Sequence, residues 1–145
     1  MDLDFSNKGK LYVSMIKYLR KIFTALPEKI TSTAATPAAD HLFEVRDESK
    51  QKLLPEEQAR AFHHTVAQLL FLSGRARPDI KTPVTFLTTR VKAPEEDDWG
   101  KLKRCLKYLW GTQYLKLCLT VDNLHTLCWW VNSSYGVHRD SKGHT

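Results

Sequence analysis

Long apolar runs are missing from this 145-residue chain. Runs such as Leu69 to Leu72 fall far short of the roughly 20 residues a membrane-spanning helix needs. Cysteine is scarce: Cys105, Cys118 and Cys128 make an odd set without regular spacing, which argues against a disulfide framework. No secretory leader is visible at the start, where Met1 is followed by Asp2 and Asp4. These absences imply a reduced, intracellular protein of cytoplasm or nucleus, with no membrane partner.

Chemistry-bearing motifs are equally sparse. The six glycines form no phosphate-cradling loop, and neither a Gly-x-Ser-x-Gly elbow nor a cysteine–histidine setting supplies a nucleophile. His63 and His64 are adjacent. On a helix they point about 100° apart, whereas a shared metal needs three- or four-residue spacing. Cys128, His138 and His144 have no paired-cysteine motif beside them. The residues therefore nominate no metal site and no cofactor.

What is present is positive charge and amphipathic pattern. Lysine and arginine number 22 against 16 acids, a net charge of +6 and a pI near 9.3, a balance that favours polyanionic partners such as nucleic acid. Hydrophobic residues, 42% of the chain, can furnish a core for one domain or parts of two.

The pattern along the chain predicts an α+β fold. Residues 3–15 read as a β-hairpin around Ser6-Asn7-Lys8-Gly9. Ser14 is then a plausible N-cap for a helix carrying Ile16, Leu19, Ile22, Phe23 and Leu26, which Pro27 ends. Residues 31–54 lack any period and read as a linker, or as a segment lying across another surface. Pro55 opens a helix with Phe62, Val66, Leu69 and Leu70 as its stripe and Gly74 at its end. Pro78 opens another, with Ile80, Val84, Leu87 and Val91 inward and a short or bent first turn at Pro83. Pro94 to Gly111 is the strongest helix. Four acids, Glu95 to Asp98, crowd its start, and Trp99, Leu102, Leu106 and Leu109 form its stripe. A C-terminal two-stranded element follows, from Leu115, Leu117, Leu119 and Val121, a turn at Asp122-Asn123, then Leu127, Trp129 and Val131.

This gives an N-terminal hairpin, three to four amphipathic helices and two closing strands. The segments are residues 1–30, the linker 31–54, a helical region 55–112 and a final region 113–145. The bases are the informative residues. Lys101, Lys103, Arg104 and Lys107 leave the apolar stripe free. Arg75 and Arg77 lie in the stretch 75–92, which holds five bases and one acid. These six are the candidates for tracking a phosphate backbone.

Several blocks in fixed order carry a resemblance. They are Leu69-Leu70-Phe71-Leu72, Arg77-Pro78-Asp79-Ile80, Asp98-Trp99, and Lys103-Arg104-Cys105-Leu106-Lys107-Tyr108-Leu109-Trp110-Gly111-Thr112. Together they resemble the C-terminal part of the reverse transcriptase in copia-type LTR retrotransposon Pol polyproteins. The opening hairpin and helix, to about Leu26, are similar to the segment following the polymerase palm in that family. Trp129-Trp130-Val131-Asn132-Ser133-Ser134-Tyr135 is similar to the first strand of the ribonuclease H domain, so the final region would begin a truncated sheet of that type.

The resemblance implies a thumb- or connection-like region that grips primer–template through basic helices. It implies Mg2+ only for the intact family, whose ribonuclease H strand ends on a metal-binding aspartate. Asn132 stands at that position and brings no charge for the paired cations, which sit about 4 Å apart. The palm aspartates would precede Met1 and the remaining ribonuclease H carboxylates would follow Thr145. The expectation is thus an RNA-directed DNA polymerase fragment without activity of its own, binding RNA–DNA or DNA backbone non-specifically. Two alternatives stand beside it: an interaction module or homodimer formed through exposed strand edges, and a degenerate remnant without function.

Overall fold

Gly9 sets the first turn. Its φ of +75° lies in the left-handed region where a side chain is strained, and the Lys10 N–H donates to the Asn7 carbonyl across 3.0 Å. The hairpin this closes joins β1, Asp2–Asp4, to β2, Lys10–Ser14, with Leu3 opposite Val13. A computed structural model describes residues 1–46 and 52–121, and the remaining elements below fall within those.

The strand expected near Leu117 forms as β3, Leu117–Thr120, antiparallel to β2 with Val13 opposite Leu117 and Leu11 opposite Leu119. The sheet order is β1-β2-β3, so the two ends of the described chain meet in one sheet. The second closing strand, with Leu127, Trp129 and Val131, lies outside the described residues. So do the Asp122-Asn123 turn, Asn132, Cys128, His138 and His144.

Four helices supply the core: α1 (Ile16–Ala25), α2 (Glu56–Ser73), α3 (Lys81–Thr88) and α4 (Glu96–Gly111). The α+β class is therefore the observed one. Ser14, expected to cap α1, is instead the buried last residue of β2, and Met15 holds the cap position without a side-chain bond. From α1, Leu19 and Ile22 enter the core. From α2 come Phe62, Val66, Leu69 and Leu72, while Leu70, expected in the stripe, is 45% exposed because the apolar line turns past it to Leu72.

After α2 the chain reverses around one carbonyl. The N–H groups of Arg75, Ala76 and Arg77 converge on the Leu72 oxygen at 3.2, 3.0 and 3.2 Å. A 3-10 turn, Pro78–Ile80, leads into α3. Pro83 falls in the first turn of α3, where backbone N–H groups have no helical partner to lose. Ile80, Val84 and Leu87 are fully buried.

The segment read as a linker does more than connect. Leu42 and Leu54 are core residues at 5% and 9% exposure. The Leu54 N–H donates to the Pro94 carbonyl and the Glu96 N–H to the Lys52 carbonyl, at 2.9 and 3.0 Å. Thr33 lies against the end of α4: a Cβ built on Gly111 would stand only 3.1 Å from the Thr33 methyl. Gly111 is the last residue of α4, and its missing side chain admits this close approach.

Candidate nucleic-acid interface

α4 sets the geometry. At about 100° per residue, Trp99, Leu102, Cys105, Leu106 and Leu109 make one buried face. Gly100, Lys103, Arg104 and Lys107 fall on the other. A capping box fixes the helix start, with the Glu95 N–H donating to Asp98 Oδ2 across 3.0 Å. Arg90 closes this corner: its Nη2 donates to Glu95 at 3.0 Å, and its Nε lies 3.4 Å from Asp98. Burial, and then the neighbouring Asp98 charge, push the Glu95 carboxyl up despite Arg90. Burial also raises the Cys105 thiol to about 12, so it remains a thiol inside the core.

The six candidate cations divide. Arg77 is buried at 3% exposure. It holds Asp79 through Nε and Nη2, the shorter contact 2.7 Å, and donates to the Thr112 carbonyl and hydroxyl at 3.0 and 2.7 Å. Tyr108 adds its hydroxyl to Asp79 at 2.9 Å. Burial alone would raise Asp79, but the hydrogen bonds and charge of Arg77, with Tyr108, outweigh it and hold the carboxyl below its ordinary 3.8. Tyr108 moves up, first through burial and then through Asp79.

Lys101 is likewise used internally. It is buried, pairs with Asp97 at 2.8 Å, donates to the Glu44 carbonyl and sits over the Phe86 ring. Both Arg77 and Lys101 thus spend their cations on partners within the chain. Arg75 is exposed and stacks on Phe71, 3.7 Å from the ring centroid.

Lys103, Arg104 and Lys107 remain together at the surface of α4. Lys103 pairs with Glu28 at 2.9 Å, and Arg104 Nη2 donates to Thr36 Oγ1 at 2.9 Å. Lys107 has no ion-pair partner among the described residues. Opposite them, Thr33, Ala34 and Ala35 form the far wall of a hollow of about 450 Å3 whose floor includes Gly100. Nothing in the sequence marks Thr33 to Thr36 for this wall, because a stretch without period gives no sign of what it packs on.

Among the described residues, no group of three or more His, Cys, Asp or Glu side chains is placed to hold a metal ion, and no helix is long and apolar enough to cross a membrane.

No protein-family model matches the chain, and no solved structure does. Two curated proteins are similar to it. A Saccharomyces cerevisiae protein named for transposon Ty5-1 is 24% identical over 142 residues, covering 97% of this chain and 44% of its own length. A retrovirus-related Pol polyprotein from transposon TNT 1-94 of Nicotiana tabacum is 28% identical over 116 residues, covering 75% of this chain and 8% of its own length. The resemblance to a retrotransposon Pol polyprotein carried by the motif blocks is thus matched by similarity along most of the sequence, and the chain corresponds to a part, under half, of each transposon-encoded relative.

Proposed function

We propose that the chain is a reverse-transcriptase segment of such a polyprotein, of copia type, which contacts the phosphodiester backbone through the outer face of α4 and performs no catalysis alone. The observation that carries this is the grouping of Lys103, Arg104 and Lys107 on one face, away from the buried stripe, against a hollow with no acidic residue in its lining. Arg75 is the exposed addition to that set; Arg77 and Lys101 belong to the scaffold. Such contacts read charge and not sequence, so binding is non-specific.

The test is fluorescence anisotropy with a short RNA–DNA hybrid across a salt series. Three phosphate contacts give a log–log salt slope of about −3, since each contributes about −0.9. Binding that ignores salt, or no binding at low ionic strength, would remove this reading. Polymerase and nuclease assays on the same preparation should be blank, and turnover in either overturns the non-catalytic part.

A second reading rests on the sheet. Leu3, Leu115, Leu119 and Val121 are about half exposed at 49%, 51%, 48% and 59%, and among the described residues β1 and β3 each keep one unpaired edge. Such edges pair with other chains, including copies. Sedimentation separates the two ideas: a tight dimer without affinity for the hybrid favours the sheet over α4.

A further inference from the structure

We propose that the hollow between Thr33–Ala35 and α4 is a subsite for one phosphate group, held by Lys107, Arg104 and Lys103. The inference rests on the backbone-contact reading and says where on α4 a phosphate would sit.

Two hollows beside α4 share Gly100 and Arg104 in their linings. The smaller, about 290 Å3, contains Lys101, but Asp97 shares its lining and neutralises that ammonium at 2.8 Å. The larger, about 450 Å3, is lined by three cations and small residues, and by no carboxylate. An anion entering the first meets a carboxylate and a lysine already paired with it, beside the Arg104 that lines both hollows. In the second it meets Lys107, which no described residue pairs, and an arginine with donors to spare. Of the five guanidinium N–H donors, one is taken by Thr36, while Nε is buried with no hydrogen-bond partner. The buried Nε cannot meet a ligand, but the terminal nitrogens keep N–H donors beyond the one given to Thr36 that suit the oxygens of a tetrahedral oxyanion, and the unpaired Lys107 ammonium adds charge without directional demand, with Lys103 shared with Glu28.

The glycines shape the space. Gly111 lets Thr33 approach the helix end and so seats the far wall. Gly100 precedes Lys103 by three residues and Arg104 by four, and a Cβ built on it meets nothing within 4 Å. A glycine inside a helix is unfavourable by its backbone entropy, yet here it keeps the floor of the cationic hollow open.

Free phosphate and a phosphodiester in nucleic acid share this chemistry, and two measurements on the full chain separate them. The first is titration with inorganic phosphate, followed by amide chemical shifts. Shifts are expected at Ala34, Ala35, Gly100 and Lys103 to Lys107 in the wild type, and not in Gly100→Glu, which places a carboxylate in the hollow. The second is affinity for the RNA–DNA hybrid. Gly100→Glu and Lys107→Gln should each weaken it, Lys107→Gln with a salt slope shallower by about 1. The exposed Lys81, outside the hollow, serves as the control: Lys81→Gln should cost less affinity than either.

Phosphate shifts without hybrid binding would keep the subsite, assign it to free phosphate and end the backbone reading. Hybrid binding that survives both Gly100→Glu and Lys107→Gln would overturn the subsite and leave the broader reading standing. Should Gly100→Glu fail to fold, Lys107→Gln decides by the same comparison.

Discussion

Arg77 and Arg104 both carry a guanidinium near the path of α4, and the structure uses them in opposite ways. Arg77 has a side chain 4% exposed and spends its donors on Asp79 and Thr112. Arg104 is only partly buried, with a single hydroxyl partner. The first joins the turn after α2 to the end of α4. The second stands over a cationic hollow. Positive charge in a sequence therefore supports two jobs, and only the surrounding packing separates a scaffold cation from one left for a ligand.

Arg77→Ala breaks that comparison most strongly. It leaves Asp79 without its guanidinium and the Thr112 carbonyl without that donor. Arg77 is buried but Asp79 keeps a side chain 27% exposed, so the loss is that of charged hydrogen bonds with one partly solvated partner, about 1.5–3 kcal/mol, and a clear drop in the urea midpoint is expected. Arg104→Ala should stay within about 0.5 kcal/mol of wild type, as surface changes usually do, while lowering affinity for the hybrid. Equal stability losses in the two variants would erase the distinction.

The division also explains what the sequence could and could not reveal. α4 was legible because acids crowd its first turn and its apolar residues recur at helical spacing. Arg77-Pro78-Asp79 held a local hint, since a proline turn with bases and an acid two residues apart brings the pair together. Asp97, four residues before Lys101, is a local partner, but the burial of Lys101 comes from Glu44 and Phe86, far off in sequence, just as the partner of Lys103, Glu28, does. The partner of β3 was hidden for a similar reason. Period-two alternation marks a strand and its faces but does not say that β2, about a hundred residues earlier, will pair with it. Residues 31–46 were the least legible, since they pack through isolated contacts such as Leu42 and not through a repeating face.

Asp79 and Glu95 should respond to pH with opposite signs. Asp79 titrates lower in the folded chain than its ordinary 3.8, held down against burial by Arg77 and Tyr108. Its contribution is present above that value and lost as pH falls through the lowered one. Glu95 titrates higher than its ordinary 4.5, because of burial and Asp98. Its stabilising form is the protonated one, complete below 4.5 and lost as pH rises through the raised value. Melting curves for Asp79→Asn should lie apart from wild type near neutral pH and converge on the acid side, as the wild type loses the contribution the variant lacks. Those for Glu95→Gln should diverge above pH 4.5, with the wild type falling relative to the variant. A matching sign in the two series would show that one environment is misassigned.

The smallest effect sharpens the comparison most finely, because it separates helix stability from ligand space at one residue. Gly100 lies inside α4, where glycine is about 1 kcal/mol less favourable than alanine. An alanine Cβ there meets no atom within 4 Å, so Gly100→Ala should stabilise the chain by about 1 kcal/mol with no steric loss to offset it. Denaturant titration measures that gain. A single methyl group brings no charge into the hollow, so affinity for the hybrid should barely change, whereas Gly100→Glu gains similar helix propensity and loses binding. If both substitutions stabilise α4 and both leave binding intact, the space beside Lys103, Arg104 and Lys107 is solvent and nothing more. If only the glutamate weakens binding, the hollow reads the charge of what enters it, and the cations on this face differ from Arg77 in function as well as in exposure.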